Sequence, residues 1–488
     1  MEAWLYILGG RTGKRAQNDI GPSCYLLVIK IGGNVWVYMI DCGLGNGAED
    51  VGGMVSWNPP EDLWLLGQIM DSLGKKSLDA VFLTHMHRDH VAGIALDIVQ
   101  KYLAEDTPIF CSQPTAAGLI HQLEDQINFS EARKNKGYDE TSPYGDLNVF
   151  ETRLRLQPFN QPRIIELVPD RIWFYPHPVG HIRGACGYVF VVKDGNATVK
   201  FMAPGDVSCH DQVSTRGVQP LPKIYAPDIL MYRDGTNDAE DLAQGTCEAT
   251  FWQREMQRLG QLAQKCHNEN KWLFGPTFAV DRLPAFAQTI ANLDLPVYIF
   301  SPSAYRLWQR MESPEGFWCD SDCPVRGGER ITLFRDWHDM FCGDPAAVTA
   351  TSGMGHGPAA FLLWNFLSME NAVVATLGFA AYNTNNYNLK RVKRGEKVKL
   401  QVPHSKGTDE TVEVLVRAEL EHFRPTGHSL RETSAQWTEE VLRYSQFKEP
   451  MVGLSHGTTS GFNWAQKRLL GFNIFRADRK EDRKVQLL

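Results

Sequence analysis

No two cysteines of this chain are spaced as CxxC, and the closest pair, Cys319 and Cys323, has no matching second pair. That argues against a structural zinc site built on thiolates. The ten cysteines are scattered and form no disulfide-like framework, which fits a reducing compartment. No apolar run approaches the roughly 18 residues that a membrane span requires. The segment Met1-Glu2-Ala3-Trp4-Leu5 lacks the basic start and long apolar stretch of a secretory signal. Internal repeats and low-complexity segments are also missing. These absences lead us to expect a cytoplasmic protein without membrane association, or a nuclear one in a eukaryote. The formal net charge of -7 excludes a globally basic surface, so any polyanion site must gather its cations locally.

What is present is an ordinary globular composition, 43% hydrophobic and 22% charged over 488 residues. This is enough apolar material for several cores. Ser23 to Lys30 and Asn34 to Ile40 read as neighbouring strands joined at Gly32-Gly33. Pro60 to Leu73 and Thr115 to Lys134 have helical spacing, and Leu78 to Leu83 reads as a short buried strand. Further strand-like runs follow up to Pro227–Tyr232, so residues 1–235 form one α/β layered unit. From Cys247 onward helices and short strands alternate, as in a parallel sheet covered by helices, and we place a second α/β unit at 236–390. Strand-like runs at Lys397 to Val402 and Thr411 to Ala418 open a completing part, 391–488, whose basic stretch from Arg476 to Lys484 reads as a solvated tail.

The chemistry concentrates in His85-Met86-His87-Arg88-Asp89-His90, directly after the strand-like Ala80-Val81-Phe82-Leu83. Burying three imidazoles and a carboxylate without partners costs several kcal/mol, roughly, and divalent cations would offset it. Two residues apart at a strand end, His85 and His87 can point the same way. Asp89 and His90 follow, where a loop can turn them to a second ion. Three more candidates sit at strand ends or turns: Asp41, His181 between Gly180 and Gly184, and Asp206 after Met202-Ala203-Pro204-Gly205.

A strand-end Asp, then HxHxDH, a Gly-flanked His and a second strand-end Asp, in that order, resemble the metallo-β-lactamase superfamily. Later segments are similar to its β-CASP nuclease branch. They are Ala226 to Thr236 with Asp234 in the acidic position, Pro276-Thr277-Phe278-Ala279-Val280-Asp281-Arg282, Ser352-Gly353-Met354, the stretch around His428, and Leu454-Ser455-His456-Gly457. Asp281 stands where the branch has Gly, and Gly355-His356-Gly357 departs from its usual continuation, so the chain reads as a divergent member.

The resemblance implies a four-layer αβ/βα fold with an inserted α/β cap and, as cofactor, two zinc ions, with Mn2+ or Mg2+ as alternatives. It assigns His85, His87 and His181 to one ion, Asp89, His90 and His456 to the other, and Asp206 to a bridge between them. Asp41 becomes a carboxylate orienting a ligand histidine. Asp89, Asp234 and His428 form the catalytic set, with His428, paired to Asp234, as general acid. The activity implied is hydrolysis of a phosphodiester by a hydroxide activated between two cations. His456 at the last motif favours single-stranded RNA as the partner. A DNA nuclease of the same fold is the alternative, and a scaffold with a degenerate site is a third reading. A small-molecule hydrolase is disfavoured by the long insertion after Asp206. Oligomerisation, as a homodimer or in a larger complex, stays open.

For nucleic-acid contact the sequence offers Arg282, Ser352 and Gly353, and the basic run Lys390-Arg391-Val392-Lys393-Arg394 at the hinge between units. Tyr382 and Tyr387 are candidates for base stacking. His177, His210, His267, His338 and His356 read as ordinary core, loop or surface residues.

Overall fold

The computed structural model describes residues 1–10, 21–46, 57–134, 148–157, 163–213, 215–237, 248–311, 330–334, 336–353, 355, 357–378, 380, 384–403, 409–478 and 483–488. Cys319, Cys323, Met354, His356 and Tyr382 lie outside these residues, as does the side chain of His338. The described chain is mixed α/β, with two seven-stranded sheets and one of six strands.

The first sheet runs Lys484–Gln486, Glu2–Ile7, Cys24–Ile31, Asn34–Cys42, Ala80–Phe82, Ile109–Cys111, Leu154–Leu156 in spatial order. Cys24–Ile31 and Asn34–Cys42 form the expected hairpin. Its turn needs left-handed backbone at both Gly32 (φ 56°) and Gly33 (φ 86°), which only glycine adopts without strain. Beyond Asn34–Cys42 the strands pair in parallel. The second sheet runs Asn473–Arg476, Met451–Gly457, Ile229–Gly235, Ala197–Ala203, Cys186–Asp194, Ile172–Pro178, Ile165–Val168.

These two sheets face each other across one apolar cluster that draws on both. Phe82 of the first sheet sits at its middle. Its ring lies 5.0 Å from Phe174, 5.1 Å from Tyr188 and 4.8 Å from Phe190, all of the second sheet. On its other face the first sheet is covered by helices Leu65–Ser72 and Gln113–Lys134, through Leu66, Met70, Leu119 and Leu123. The second sheet is covered by helices Arg431–Leu442 and Thr459–Arg468, through Ala435, Val441, Phe462 and Ala465. Because central strands are covered on both faces, Cys24–Ile31 reads as a nearly unbroken apolar run rather than an alternating one.

The third sheet is parallel throughout, in the order Ile331–Leu333, Val297–Ile299, Ala347–Ala350, Trp272–Pro276, Ala372–Leu377, Glu419–Phe423. The sequence places the end of this unit at residue 390, but strand pairing carries it to Phe423. Glu419–Phe423 pairs with Ala372–Leu377. The hairpin Lys397–Pro403/Asp409–Leu415 packs Val398, Leu400 and Val414 onto Leu362, Leu363 and Phe366 of helix Pro358–Leu367. The expected basic tail is also corrected. Arg476 is buried and paired with Asp478 at 2.8 Å, and Lys484–Gln486 is an edge strand of the first sheet. Among the described residues no helix is long and apolar enough to cross a membrane.

Since Phe82 fills the space between the two facing sheets, Phe82→Ala should destabilise the protein by about 3–5 kcal/mol. The expected result is a clearly lower thermal or denaturant midpoint, with Phe82→Leu losing much less.

Candidate metal centre

The strand ends of the two facing sheets meet in a cluster of imidazoles and carboxylates. His85, His87, His181 and Asp206 bring ligand atoms within 4.8 Å of one another, as do Asp89, His90 and His456, and as do Asp206, Asp234 and His428. Chain-distant segments supply them. His85 to His90 follow strand Ala80–Phe82, and Asp206 follows Ala197–Ala203. His181 lies in the loop after Ile172–Pro178, while Asp234 and His456 end two neighbouring strands of the second sheet.

Asp206 stands between two donor sets. Its Oδ2 lies 3.5 Å from His85 Nε2 and 3.6 Å from His181 Nε2. Its Oδ1 lies 3.5 Å from both His90 Nε2 and His456 Nε2. Asp89 Oδ2 lies 3.9 Å from His456 Nε2. Burial opposes charge on Asp206, but the imidazoles of His456, His90 and His428 hold its carboxyl well below the usual range.

Four of the rings meet a partner through their other nitrogen. His90 Nδ1 donates to Asp41 Oδ2 at 2.8 Å. Thr84 Oγ1 donates to the same Asp41 oxygen at 2.8 Å and faces His85 Nδ1 at 3.1 Å. His181 Nδ1 donates to the Gly427 carbonyl at 2.7 Å, and His456 Nδ1 meets Ser23 Oγ at 3.0 Å. In the neutral rings of His85 and His181 the Nε2 atoms are thereby left with their lone pairs toward Asp206. Asp41 is fully buried and also accepts the Thr84 N–H at 2.8 Å, so it fixes His90 directly and His85 through Thr84.

Backbone strain accompanies this arrangement. Asp41 (φ 53°) and His456 (φ 52°) are left-handed non-glycine residues, a conformation that costs about 1–2 kcal/mol each. Gly43 answers a different demand. A Cβ there would lie 1.8 Å from the Asp89 carbonyl oxygen, because the strand end and the Asp89-His90 turn touch. Ser23 N donates to that same carbonyl at 2.8 Å.

These residues fit a bound divalent cation. His90 Nε2 is buried without a hydrogen-bond partner. His87 Nδ1 lies 3.1 Å from His85 Nε2 and 3.0 Å from His181 Nε2, and a single proton on His87 can satisfy only one of those contacts. A cation held between these lone pairs removes the conflict, and imidazole with carboxylate is a donor set for divalent transition metals. Burial pushes His87 down to about 4 and holds His85 and His181 well below the usual histidine range, so these rings are unprotonated at neutral pH. His90 is the exception: burial opposes its charge, but Asp206 and Asp41 prevail and raise it.

His428 completes the rim and is partly exposed. Its Nδ1 lies 2.9 Å from Asp234 Oδ2 and 3.7 Å from Asp206 Oδ2. Burial opposes its protonation, yet Asp234 and Asp206 raise it above the ordinary histidine value. Asp234 is held from two sides, accepting from Val207 N at 3.1 Å and Thr236 N at 3.0 Å.

The residues proposed for nucleic-acid contact separate. Arg282 is buried, turned inward onto Gln212 at 2.8 Å. Ser352 and Gly353 form a turn after strand Ala347–Ala350, packed on Phe278 and held by Asn386. Lys390 Nζ donates to Gly378 O at 2.7 Å, and Gly378 N donates to Phe423 O, just before the His428 segment. Arg391 lies over the ring of Tyr387. Lys393 is exposed. Arg394 is exposed as well.

His177 stays outside the centre, its Nε2 donating to Gln219 O at 2.9 Å, and His267 is exposed. His210 is buried against Glu248, whose other oxygen takes Leu430 N at 2.8 Å. Sequence reading misses Thr84, Ser23 and Gln212. Thr84 offers a faint signal, a hydroxyl directly before the first ligand histidine; the other two offer none.

No protein-family model matches the chain, and no curated protein matches it. Among solved structures, a protein of unknown function from Enterococcus faecalis V583 is similar, with a TM-score of 0.53 at 11% identity and 100% of both chains covered. At that identity the likeness concerns the fold alone.

Two outcomes follow. Asp41→Asn replaces one acceptor oxygen by a donor, and should weaken metal retention by about 10–100-fold in a chelator competition. His177, pushed down to about 4 by burial, stabilises the fold while neutral. That contribution is fully present above pH 6.5 and is lost as pH falls toward 4. In metal-free protein, His177→Gln should reduce the acid loss of stability over that window by up to about 3 kcal/mol, read by denaturation at stepped pH.

Proposed function

We propose that this chain is a metal-dependent nuclease of the β-CASP branch of the metallo-β-lactamase superfamily, hydrolysing phosphodiester bonds in single-stranded RNA with two zinc ions as cofactor. The observation that carries the reading is the Asp206 carboxylate, with one oxygen toward His85 and His181 and the other toward His90 and His456. Two facing sheets with helices outside them support the four-layer αβ/βα assignment. The parallel third sheet supports the inserted cap.

His85, His87 and His181 would hold one ion, Asp89, His90 and His456 the other, with Asp206 shared. When bound, such a pair supplies Lewis acidity that activates water and neutralises the phosphate. His428 supplies the proton: its Nδ1 is anchored on Asp234, and the carboxylates of Asp234 and Asp206 raise its pKa and so favour its charged form. As general acid it protonates the departing 3′ oxygen. The carboxyl ends of the third sheet's strands, where open parallel sheets bind ligands, lead into the segments holding Arg282, Ser352 and Gly378. The substrate strand enters along this edge, with Lys390 beside it. RNA rather than DNA rests on His456 occupying the last motif.

Zinc-loaded protein should cut labelled single-stranded RNA in preference to DNA of the same sequence. Cleavage of DNA alone would sink the RNA assignment, and a zinc-loaded protein that cuts neither would favour a scaffold. His428→Ala should keep its zinc and lose about 10²–10⁴-fold in turnover. If it loses a metal ion instead, His428 is a ligand.

A further inference from the structure

We propose that Asp281 and Arg282, which belong to the third-sheet unit, are positioning residues for His181 in the metal centre; the inference rests on the metal-ligand reading above. His181 sits in a loop bounded by two left-handed glycines, Gly180 (φ 77°) and Gly184 (φ 83°). Such a loop has little rigidity of its own. Its main chain is gripped on both sides of the ligand.

On the near side, Gln212 Nε2 donates to Gly180 O at 3.0 Å and to His181 O at 2.8 Å. Gln212 Oε1 accepts from Arg282 Nη1 at 2.8 Å. Only this amide orientation works, since the flipped one would set oxygen against two carbonyls and N–H against the guanidinium. On the far side, Arg183 N donates to Asp281 Oδ2 at 3.1 Å. Arg282 also packs beside Gly427, whose carbonyl takes the His181 Nδ1 proton; a Cβ on Gly427 would lie 2.6 Å from Arg282 Nη2. Asp281, Arg282, Gln212 and His181 are all buried.

The backbone of Asp281 supports a dedicated role. It holds φ 60°, a left-handed value that glycine adopts without strain. It precedes helix Arg282–Ala291, yet its side chain makes no capping hydrogen bond there. An aspartate at a helix N-terminus ordinarily caps. Here the carboxylate reaches across to Arg183 instead. Strain and a forgone cap are retained together with a contact that fixes the ligand loop from another unit of the fold.

Glycine at 281 relieves the strain and deletes the contact, which separates positioning from folding. In Asp281→Gly the thermal midpoint of the zinc-free protein should stay level or rise. Affinity for Zn2+ alone, measured by chelator competition, should fall about 10–100-fold at one site. Asp281→Asn keeps an acceptor oxygen and should recover most of the affinity. Gln212→Ala should reproduce the loss and, with Co2+ as probe, shift the visible spectrum of the bound ion. Wild-type zinc affinity in both Asp281→Gly and Gln212→Ala would overturn the inference, as would a parallel collapse of the zinc-free midpoint. A wild-type protein that takes up no zinc would overturn the metal reading itself, and this inference with it.

Discussion

The centre is organised around the two oxygens of Asp206. A buried carboxylate is unfavourable unless its charge is matched, and here the match comes from the imidazoles of His456, His90 and His428, on three separate segments. The matching works only if the two facing sheets hold a fixed separation, because His85 and His90 follow a strand of the first sheet and Asp206 follows one of the second. Phe82 and the rings around it set that separation. Gly205 (φ 69°) then brings the Asp206 backbone against Thr84, where a Cβ would meet the Thr84 side chain at 2.7 Å. Thr84 is itself tied to Asp41, so a close-packed core and a buried polar network specify the same geometry.

The third-sheet unit builds one wall of this centre. The chain returns from strand Glu419–Phe423 through Pro425 to Leu430, and the second sheet's loops receive it. Ser429 N donates to Val207 O at 2.7 Å, and Cys209 N donates to Ser429 Oγ at 2.8 Å. Glu248 links His210 to Leu430 N. His428 is thereby held at the rim by residues from either side of the long insertion. Buried His210, which looks like an unremarkable core histidine, is part of that bracing.

The six-residue cluster was legible because its spacing is local: alternation at a strand end and a following turn are properties of adjacent residues. His428 and His456 were legible only through the order of their motifs, since no spacing rule joins them, whereas His181 and Asp206 also stood out by their glycine-flanked and strand-end contexts. Asp41 beside His90 and Asp234 beside His428 were legible through the resemblance, but the remaining hydrogen-bond partners were not. Thr84 meets Asp41 across 43 residues, Gln212 meets His181 across 31, and Ser23 meets His456 across 433. The junction at residue 390 was misplaced because a β-strand has the same apolar signature in either unit; only pairing assigns Glu419–Phe423 to the third sheet. Charge density is silent on direction in the same way: within the basic run Lys390 turns onto the Gly378 carbonyl, while Lys393 and Arg394 are exposed.

One consequence of the charge distribution fixes an order of events. Asp41, Asp89, Asp206 and Asp234 surround the candidate ligand histidines, and burial together with the neighbouring imidazoles keeps His85, His87 and His181 neutral. Such a pocket repels a phosphodiester, the more strongly for being shielded from water. Bound divalent cations would reverse the sign of that field. On the nuclease reading, metal binding therefore precedes productive substrate binding, and the acidic net charge of the chain is no obstacle to a polyanionic substrate. On that reading the ions would set the local field at the centre, and cations along the third sheet's edge would need only to guide the strand toward it.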